Sequence, residues 1–483
     1  MRVKNGESYE KNGWIYVSIK GSPYSRGYAY GKLIAAEMKR VNKIIRTIIY
    51  NDFGVKWDFF IRGCTKYIKP TIMQHFGEFY EEMVGFSKGC THGGTPMSID
   101  EVVAWNNYFT LTESWFGNMP DEEARLVRSS SASGHQSLSR EGGGSQERCS
   151  AFIANGKYTK DGKIVMAHNN FSNFADGQLA RVVVDMNPTH GHRFIMLGFP
   201  GWIWSGTDFF VTAKGIMGCE TTIGGFFPYE NKFPISCRIR QAMQYGNSLD
   251  EYVSILLHEN SGDYANSWMF GDIHTNEILR LELGLKYHKT DRTKNGYYIG
   301  FNAAYDPRIR NLECVNSGFD DIRRHQGARR VRLDDLMQEY KGKLDTEAAK
   351  RILGDHYDVY LNKENPCSRT ICAHYEMDAR EYMSQSDRPK PYQPRGALDG
   401  NVCDSTMAKN MSLWLRWGNS CGIPFYKDKF CDEHREWNYL RPLLEDRVQQ
   451  PWTLFKTSSR ASAHSKQKTK RSSIRKHSKT KKH

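Results

Sequence analysis

Apolar residues recur along this chain with two different periods, and the switch between them divides it. Residues 13 to 20, GWIYVSIK, alternate as a strand does. After a turn at GSP, the run YSRGYAYGKLIAAEMKRVNKIIRTIIY spaces its apolar positions three and four apart, which predicts a long amphipathic helix. Further helices are predicted from about Thr71 to Val84 and from about Ile99 to Phe109, the latter with Ser98 as its cap. Residues 1–123 are therefore expected to be mainly helical. From Ala124 to Arg148, ARLVRSSSASGHQSLSREGGGSQER has almost nothing apolar after Val127. So long a polar stretch inside a globular chain reads as a flexible, cleavable linker, residues 124–148.

At Cys149 the period becomes two. CSAFIANGKYTKDGKIVMAHN gives a strand, a turn around Asp161 and Gly162, and a second strand. LARVVVDM, GHRFIMLGFPGW and FFVTAKGIMGCETTI continue the pattern, so a group of short antiparallel strands begins at Cys149. Helical spacing returns from Ile235 to Leu257. ANSWMFGDI and EILRLELGL are strands again, and HQGARRVRLDDLMQEY through AAKRILG is helical. Such blocks, without βαβ alternation, predict an α+β fold with helices outside antiparallel sheet, over a catalytic region of residues 149–451. No Gly-rich phosphate loop appears, which disfavours a nucleotide-binding fold.

Charge changes the picture only at one end. Of the formal net charge of +14, residues 452–483 supply eleven Lys and Arg with no acid, which leaves +3 for the rest. That segment has few apolar residues with which to pack and reads as a disordered basic tail, either able to contact a polyanion or merely solubilising. No signal peptide is visible at the start and no stretch is apolar enough to span a bilayer, so a cytoplasmic or particle-associated location is expected. The 11 cysteines are scattered. Cys367, Cys372 and His374 hint at a metal, but a zinc site needs a second clustered pair that the sequence lacks; buried thiols are expected, and no metal or cofactor.

Cys149 stands out because it opens the sheet-forming region directly after the linker and precedes two small residues. A cysteine at a free N-terminus carries its own base, since an α-amine titrates near 8 and can take the thiol proton. The amine is freed only if the Arg148–Cys149 bond is cut, and the thiol can begin that cut by an N-to-S acyl shift. The alternative is a core cysteine at the start of a strand.

The runs CSAFIANG and GKIVMAHNNF, then FPGWIWSGTDFFVTAKGIMGCETTIG and SGDYANSWMFGD, resemble the phospholipase B-like family within the N-terminal-nucleophile (Ntn) hydrolases. SPYSRGYAYGKLIAAE is also similar to the related amidases of the acyl-CoA:6-aminopenicillanic acid acyltransferase type, and CDSTMAKNMSLWLRWGNSCGIPF to a C-terminal stretch of some of these proteins. The resemblance implies a four-layer αββα sandwich, a precursor cut just before Cys149, and light and heavy chains that stay associated. It implies that His168 and Asn169 orient the amine and substrate, and that Asn266 is an oxyanion donor. Thr221 and Thr222 are candidate pocket hydroxyls, or ordinary strand hydroxyls. Related amidases often carry Asp where this chain has Asn170, so neutral donors or a more distant acid must position the amine. Trp202, Trp204, Phe209 and Phe210 fit either an acyl-chain wall or sheet core, and Arg238 and Arg240 either meet a substrate anion or face solvent.

The expected activity is hydrolysis of an amide or ester acyl bond, in an N-acyl amide, another acylated small molecule or a phospholipid-like substrate, through a Cys149 thioester. The competing expectation is an inactive structural or packaging protein on the same fold, with a polyanion-binding tail.

Overall fold

The CSAFIA run forms a strand, Cys149–Ala154, in which every residue is buried. Ala151 and Ile153 enter one apolar cluster, and Phe152 and Ala154 another. Alternation with apolar residues on both faces therefore places this strand between two packed layers. The computed structural model describes residues 1–130, 149–315, 317–379 and 391–457.

The strand belongs to a 7-stranded antiparallel sheet. Its neighbours are Tyr297–Gly300 on one side and Val165–Asn173 on the other, followed by Asp399–Asp404, Ser412–Trp417 and Thr453–Lys456, while Arg395–Ala397 also pairs with Val165–Asn173. A 10-stranded sheet starts with Arg2–Val3, Gly6–Lys11 and Trp14–Gly21, continues through Val182–Pro188, and ends at His288–Thr293. Its Trp14–Gly21 and Val182–Pro188 strands pair in parallel, with Val17 opposite Val184. The two sheets meet face to face: at Gly300 of the smaller, an added Cβ would come within 2.4 Å of the Thr221 methyl of the larger.

Helices cover both outer faces. Tyr252 of the Leu249–Leu257 helix stacks on Phe210, and Arg240 of the Ile235–Tyr245 helix lies over Phe194, both on the larger sheet. Leu333, Met337, Ala348 and Ile352, from the His325–Glu339 and Thr346–Leu353 helices, pack on Phe152, Ala167 and Val402 of the smaller. The result is a mixed α/β fold, ordered helix, sheet, sheet, helix. Beside the larger sheet, the Pro23–Phe53 and Gly77–His92 helices approach closely enough that a Cβ at Gly27 or Gly31 would lie 1.9 or 2.1 Å from the carbonyl oxygens of Glu82 and Phe86. No helix among the described residues is long and apolar enough to cross a membrane.

Several boundaries differ from the sequence reading. Asp121–Ser130 is helical, so the expected linker starts inside a helix, and 131–148 lie outside the described residues. Within the segment expected as a disordered basic tail, Thr453–Lys456 alternates buried and exposed residues as the edge strand beside Ser412–Trp417, and 458–483 lie outside the described residues. Residues 1–123 contribute three strands as well as helices. The 235–257 stretch is two helices separated near Gly246, the second capped by the Ser248 side chain. Ser98 does cap its helix, in a full capping box with Glu101.

Candidate active site

Cys149 lies where the two sheets meet, wholly buried in the uncut chain. Its backbone N–H donates to Oδ1 of Asn302 at 3.2 Å, and the Asn302 amide is oriented in turn by donating from Nδ2 to the Thr222 carbonyl at 2.7 Å. Asn302 follows the Tyr297–Gly300 strand and holds a left-handed φ of 67°, a conformation Asn tolerates better than most residues. The fully buried Arg329, from the His325–Glu339 helix, donates to the Cys149 carbonyl. It also donates to Ser150 Oγ at 3.1 Å, Asn302 Oδ1 at 2.8 Å, and the carbonyls of Phe301 and His325. A buried guanidinium thus holds both the Cys149 carbonyl and the amide oxygen that accepts from the Cys149 N–H.

Register explains which predicted residues share this place. Cys149 pairs with Asn170 and Ala151 with His168, so His168 faces the same side as Cys149. Cys149, His168 and Asp208 bring one sulfur, nitrogen or oxygen atom each to within 4.8 Å of one another. Burial pushes His168 down to about 3, so its ring is neutral at ordinary pH and cannot form a thiolate–imidazolium pair. Asn169, one residue on, faces the other way, and its Nδ2 donates to the carbonyls of Leu353 and Ile371 at 2.8 and 3.1 Å. The structure does not bring its side chain to Cys149.

Thr222 Oγ1 donates to the Tyr264 hydroxyl at 3.1 Å, and that hydroxyl is 3.0 Å from Asp208 Oδ2 and 3.1 Å from Glu220 Oε1. A phenol has one proton, so it serves one carboxyl group at a time. Asn266 pairs with Thr222 in the adjacent strand, and neither of its buried amide atoms has a hydrogen-bond partner. Thr221, next to Thr222, faces the smaller sheet, the side on which Cys149 lies. Arg238 and Arg240 are both buried and tied to Asp263 and Glu82, so neither faces solvent. Trp202 and Trp204 stack at 4.8 Å inside the core, with Phe109 against both. Phe209 and Phe210 are core residues as well.

A buried carboxyl lies beside Asn170. Asp399, on the Asp399–Asp404 strand, accepts from the Asn170 N–H at 2.8 Å. Burial pushes Asp399 up to about 7, with hydrogen bonds from Asn170 and Asn401 opposing and the Asp208 charge reinforcing that shift. Asn302, Arg329, Asp208 and Asp399 were not singled out in the sequence. The available signal was the unpatterned FNAAYDP following a strand, which could hold a polar side chain away from any regular face.

The family described as Phospholipase B matches residues 37–421. This chain belongs to that family. Putative phospholipase B-like 2 of Rattus norvegicus is 24% identical over 253 residues, 46% of this chain and 43% of that protein. Phospholipase B-like 1 of Bos taurus is 23% identical over 416 residues, 78% of this chain and 70% of the other. The chain thus spans less than half the length of the rat relative. Among solved structures, the conjugated bile acid hydrolase of Clostridium perfringens aligns at 10% identity with a TM-score of 0.31, covering 56% of this chain and 89% of that one.

Proposed function

We propose that this phospholipase B family member is a cysteine acyl hydrolase of the Ntn type, matured by its own cut between Arg148 and Cys149. The helix, sheet, sheet, helix order supports the four-layer αββα assignment and, with it, kinship to the acyltransferase-like amidases. The observation that carries the reading is the pair of contacts at the Cys149 backbone: its nitrogen on Asn302 and its carbonyl on Arg329. A buried core cysteine would also need an acceptor for its N–H, but a neighbouring strand's carbonyl would serve, whereas here the acceptor is a side-chain amide that is itself oriented by the Thr222 carbonyl. A nucleophile whose nitrogen becomes the general base needs such an oriented hold.

In maturation, Sγ of Cys149 attacks the Arg148 carbonyl, the thiol proton passes to the nitrogen, and the C–N bond breaks to give a thioester. Water then releases the Arg148 carboxylate and leaves a free thiol and α-amine. With neutral His168 unable to supply a cation, the amine is the base in turnover, and Asn302 Oδ1 holds it with its lone pair toward sulfur. Attack on an amide or ester carbonyl places charge on its oxygen, for which the unpartnered Asn266 amide is the proposed donor and Thr222 a neighbouring polar group. The protonated amine passes its proton to the leaving group, and water hydrolyses the thioester. His168 and Asp208 line the site and shape its field, while Asn169 acts by fixing its strand.

N-acyl amides are the favoured substrates and phospholipids the second class. Cut protein incubated with a panel of both should accumulate an acyl adduct on Cys149, seen by peptide mass spectrometry after acid quench. An adduct on another residue, or turnover that survives Cys149→Ala, contradicts the assignment.

A further inference from the structure

On the side of the Val165–Asn173 strand away from Cys149, two histidines and two cysteines converge. His356 follows the Thr346–Leu353 helix, Cys372 and His374 come from the segment after it, and Cys421 lies beyond the Ser412–Trp417 strand. One ligand atom from each lies within 4.8 Å of every other. Nε2 of His374 is 3.5 Å from the Cys372 sulfur and 3.4 Å from the Cys421 sulfur. A tetrahedral zinc with bonds of about 2.3 Å to sulfur and about 2.0 Å to nitrogen separates those two ligand types by roughly 3.5 Å. The cluster already has that edge length.

The second ring nitrogen settles which way His374 presents its lone pair. Nδ1 lies 2.8 Å from Glu376 Oε1. A carboxylate only accepts, so Nδ1 carries a proton, and Nε2 is the ring nitrogen that faces the two sulfurs and is placed to give its lone pair to a metal, as in a carboxylate–histidine–zinc relay. The His356 ring stands 5.1 Å from that of His374 at 70°, and its Nε2 is buried without a partner at bonding geometry.

We propose that His356, Cys372, His374 and Cys421 bind one zinc ion in a closed, structural Cys2His2 site. Four protein ligands leave no open position for substrate, and the donor set suits zinc better than magnesium or calcium, which prefer oxygen. The ion joins three chain segments against the outer face of the smaller sheet. Asn169, bonded to the Leu353 and Ile371 carbonyls, links this corner to the strand that carries His168. Binding converts each S–H to a thiolate–zinc bond and releases two protons per ion, with no change of oxidation state. The separated ligands explain why the sequence did not reveal the site: only Cys372 and His374 are near neighbours, and the second pair is assembled by folding.

The test uses the full chain, reduced, stripped with a chelator and titrated with zinc chloride, then with cobalt(II). One ion per chain, a higher Tm with zinc, and the thiolate-to-cobalt charge-transfer absorption of a tetrahedral site are expected. Cys421→Ser, at the less buried of the two cysteines, should keep a native circular dichroism spectrum yet weaken binding by about 100-fold or more. Cys367→Ser, outside the four, and Cys149→Ala should bind as wild type does, which separates this inference from the catalytic reading. The inference is overturned by a wild-type chain whose Tm ignores zinc and which gives no such absorption, by stoichiometric binding that survives both Cys421→Ser and Cys372→Ser, or by a native Cys372–Cys421 disulfide found by peptide mapping.

Discussion

Asn302 and Asp399 act on Cys149 through the backbone, one by holding its N–H and the other by holding the N–H of its cross-strand partner Asn170. Asn302→Ala removes the first hold, and because it also leaves Arg329 without that acceptor and puts Ala at a left-handed φ, the variant is first checked for a native circular dichroism spectrum. It should lower kcat/KM by about 100-fold, equivalent to about 3 kcal/mol of transition-state stabilisation, and slow self-cleavage; activity within a factor of about two of wild type would remove Asn302 from the machinery. Buried titrating groups also set the pH dependence of stability. His168, at about 3 when folded against about 6.5 unfolded, makes stability rise with pH between those values. Asp399, at about 7 folded against about 3.9 unfolded, makes it fall from about pH 4 to pH 7. Each effect is on the order of 4 kcal/mol, and across their overlap they nearly cancel. Asp399→Asn keeps an acceptor for Asn170 and removes only the falling arm. In an uncut Cys149→Ala background, its stability in urea should therefore gain on the parent between pH 4.5 and 8; a gap that stays constant contradicts the linkage. At this scale the sequence exposed Cys149 and His168, because a linker-to-strand transition and a cross-strand neighbour are local features. It hid Asn302, Arg329, Asp208 and Asp399, which only tertiary pairing brings near.

Among the elements, the Pro23–Phe53 and Gly77–His92 helices depend on glycine at their crossing. Gly27 and Gly31 meet the carbonyls of Glu82 and Phe86, while Gly85 and Gly89 meet those of Tyr24 and Tyr28. Backbone atoms cannot move aside as a flexible side chain can. Gly31→Leu should cost about 2 to 4 kcal/mol, whereas Gly77→Ala, with open space around the added methyl, should stay within about 1 kcal/mol; equal effects in urea denaturation would refute the close-packing account. Element type was legible wherever the period was long and regular, as in Trp14–Gly21, Pro23–Phe53 and the Cys149 and Val165 strands. Ends were less so, because a polar run such as Asp121–Ser130 can still be helical, and a short alternating segment such as Thr453–Lys456 becomes a strand only when a neighbour offers an edge.

For the whole molecule, residues before and after the proposed cut are one structure. The Trp14–Gly21 strand continues the larger sheet through Val182–Pro188, and buried Glu82 pairs with Arg26 at 2.6 Å and, across the cut, with Arg240 at 2.8 Å. Cleaved chains should therefore elute together under native conditions and separate only in denaturant; separation in buffer alone would contradict the shared core. Antiparallel sheet with outer helices was readable from blocks of periodicity, whereas the division into two sheets came only from the family resemblance, and which strand joins which sheet was not readable, since Cys149 and Val182 lie near in sequence yet in different sheets. The central claim rests on one bond. Intact mass spectrometry with N-terminal sequencing, comparing wild type with Cys149→Ala, is its most direct test. The account predicts two chains, one beginning at Cys149, from wild type and a single chain from the variant; an uncut wild type, or a variant cut at the same bond, would contradict it.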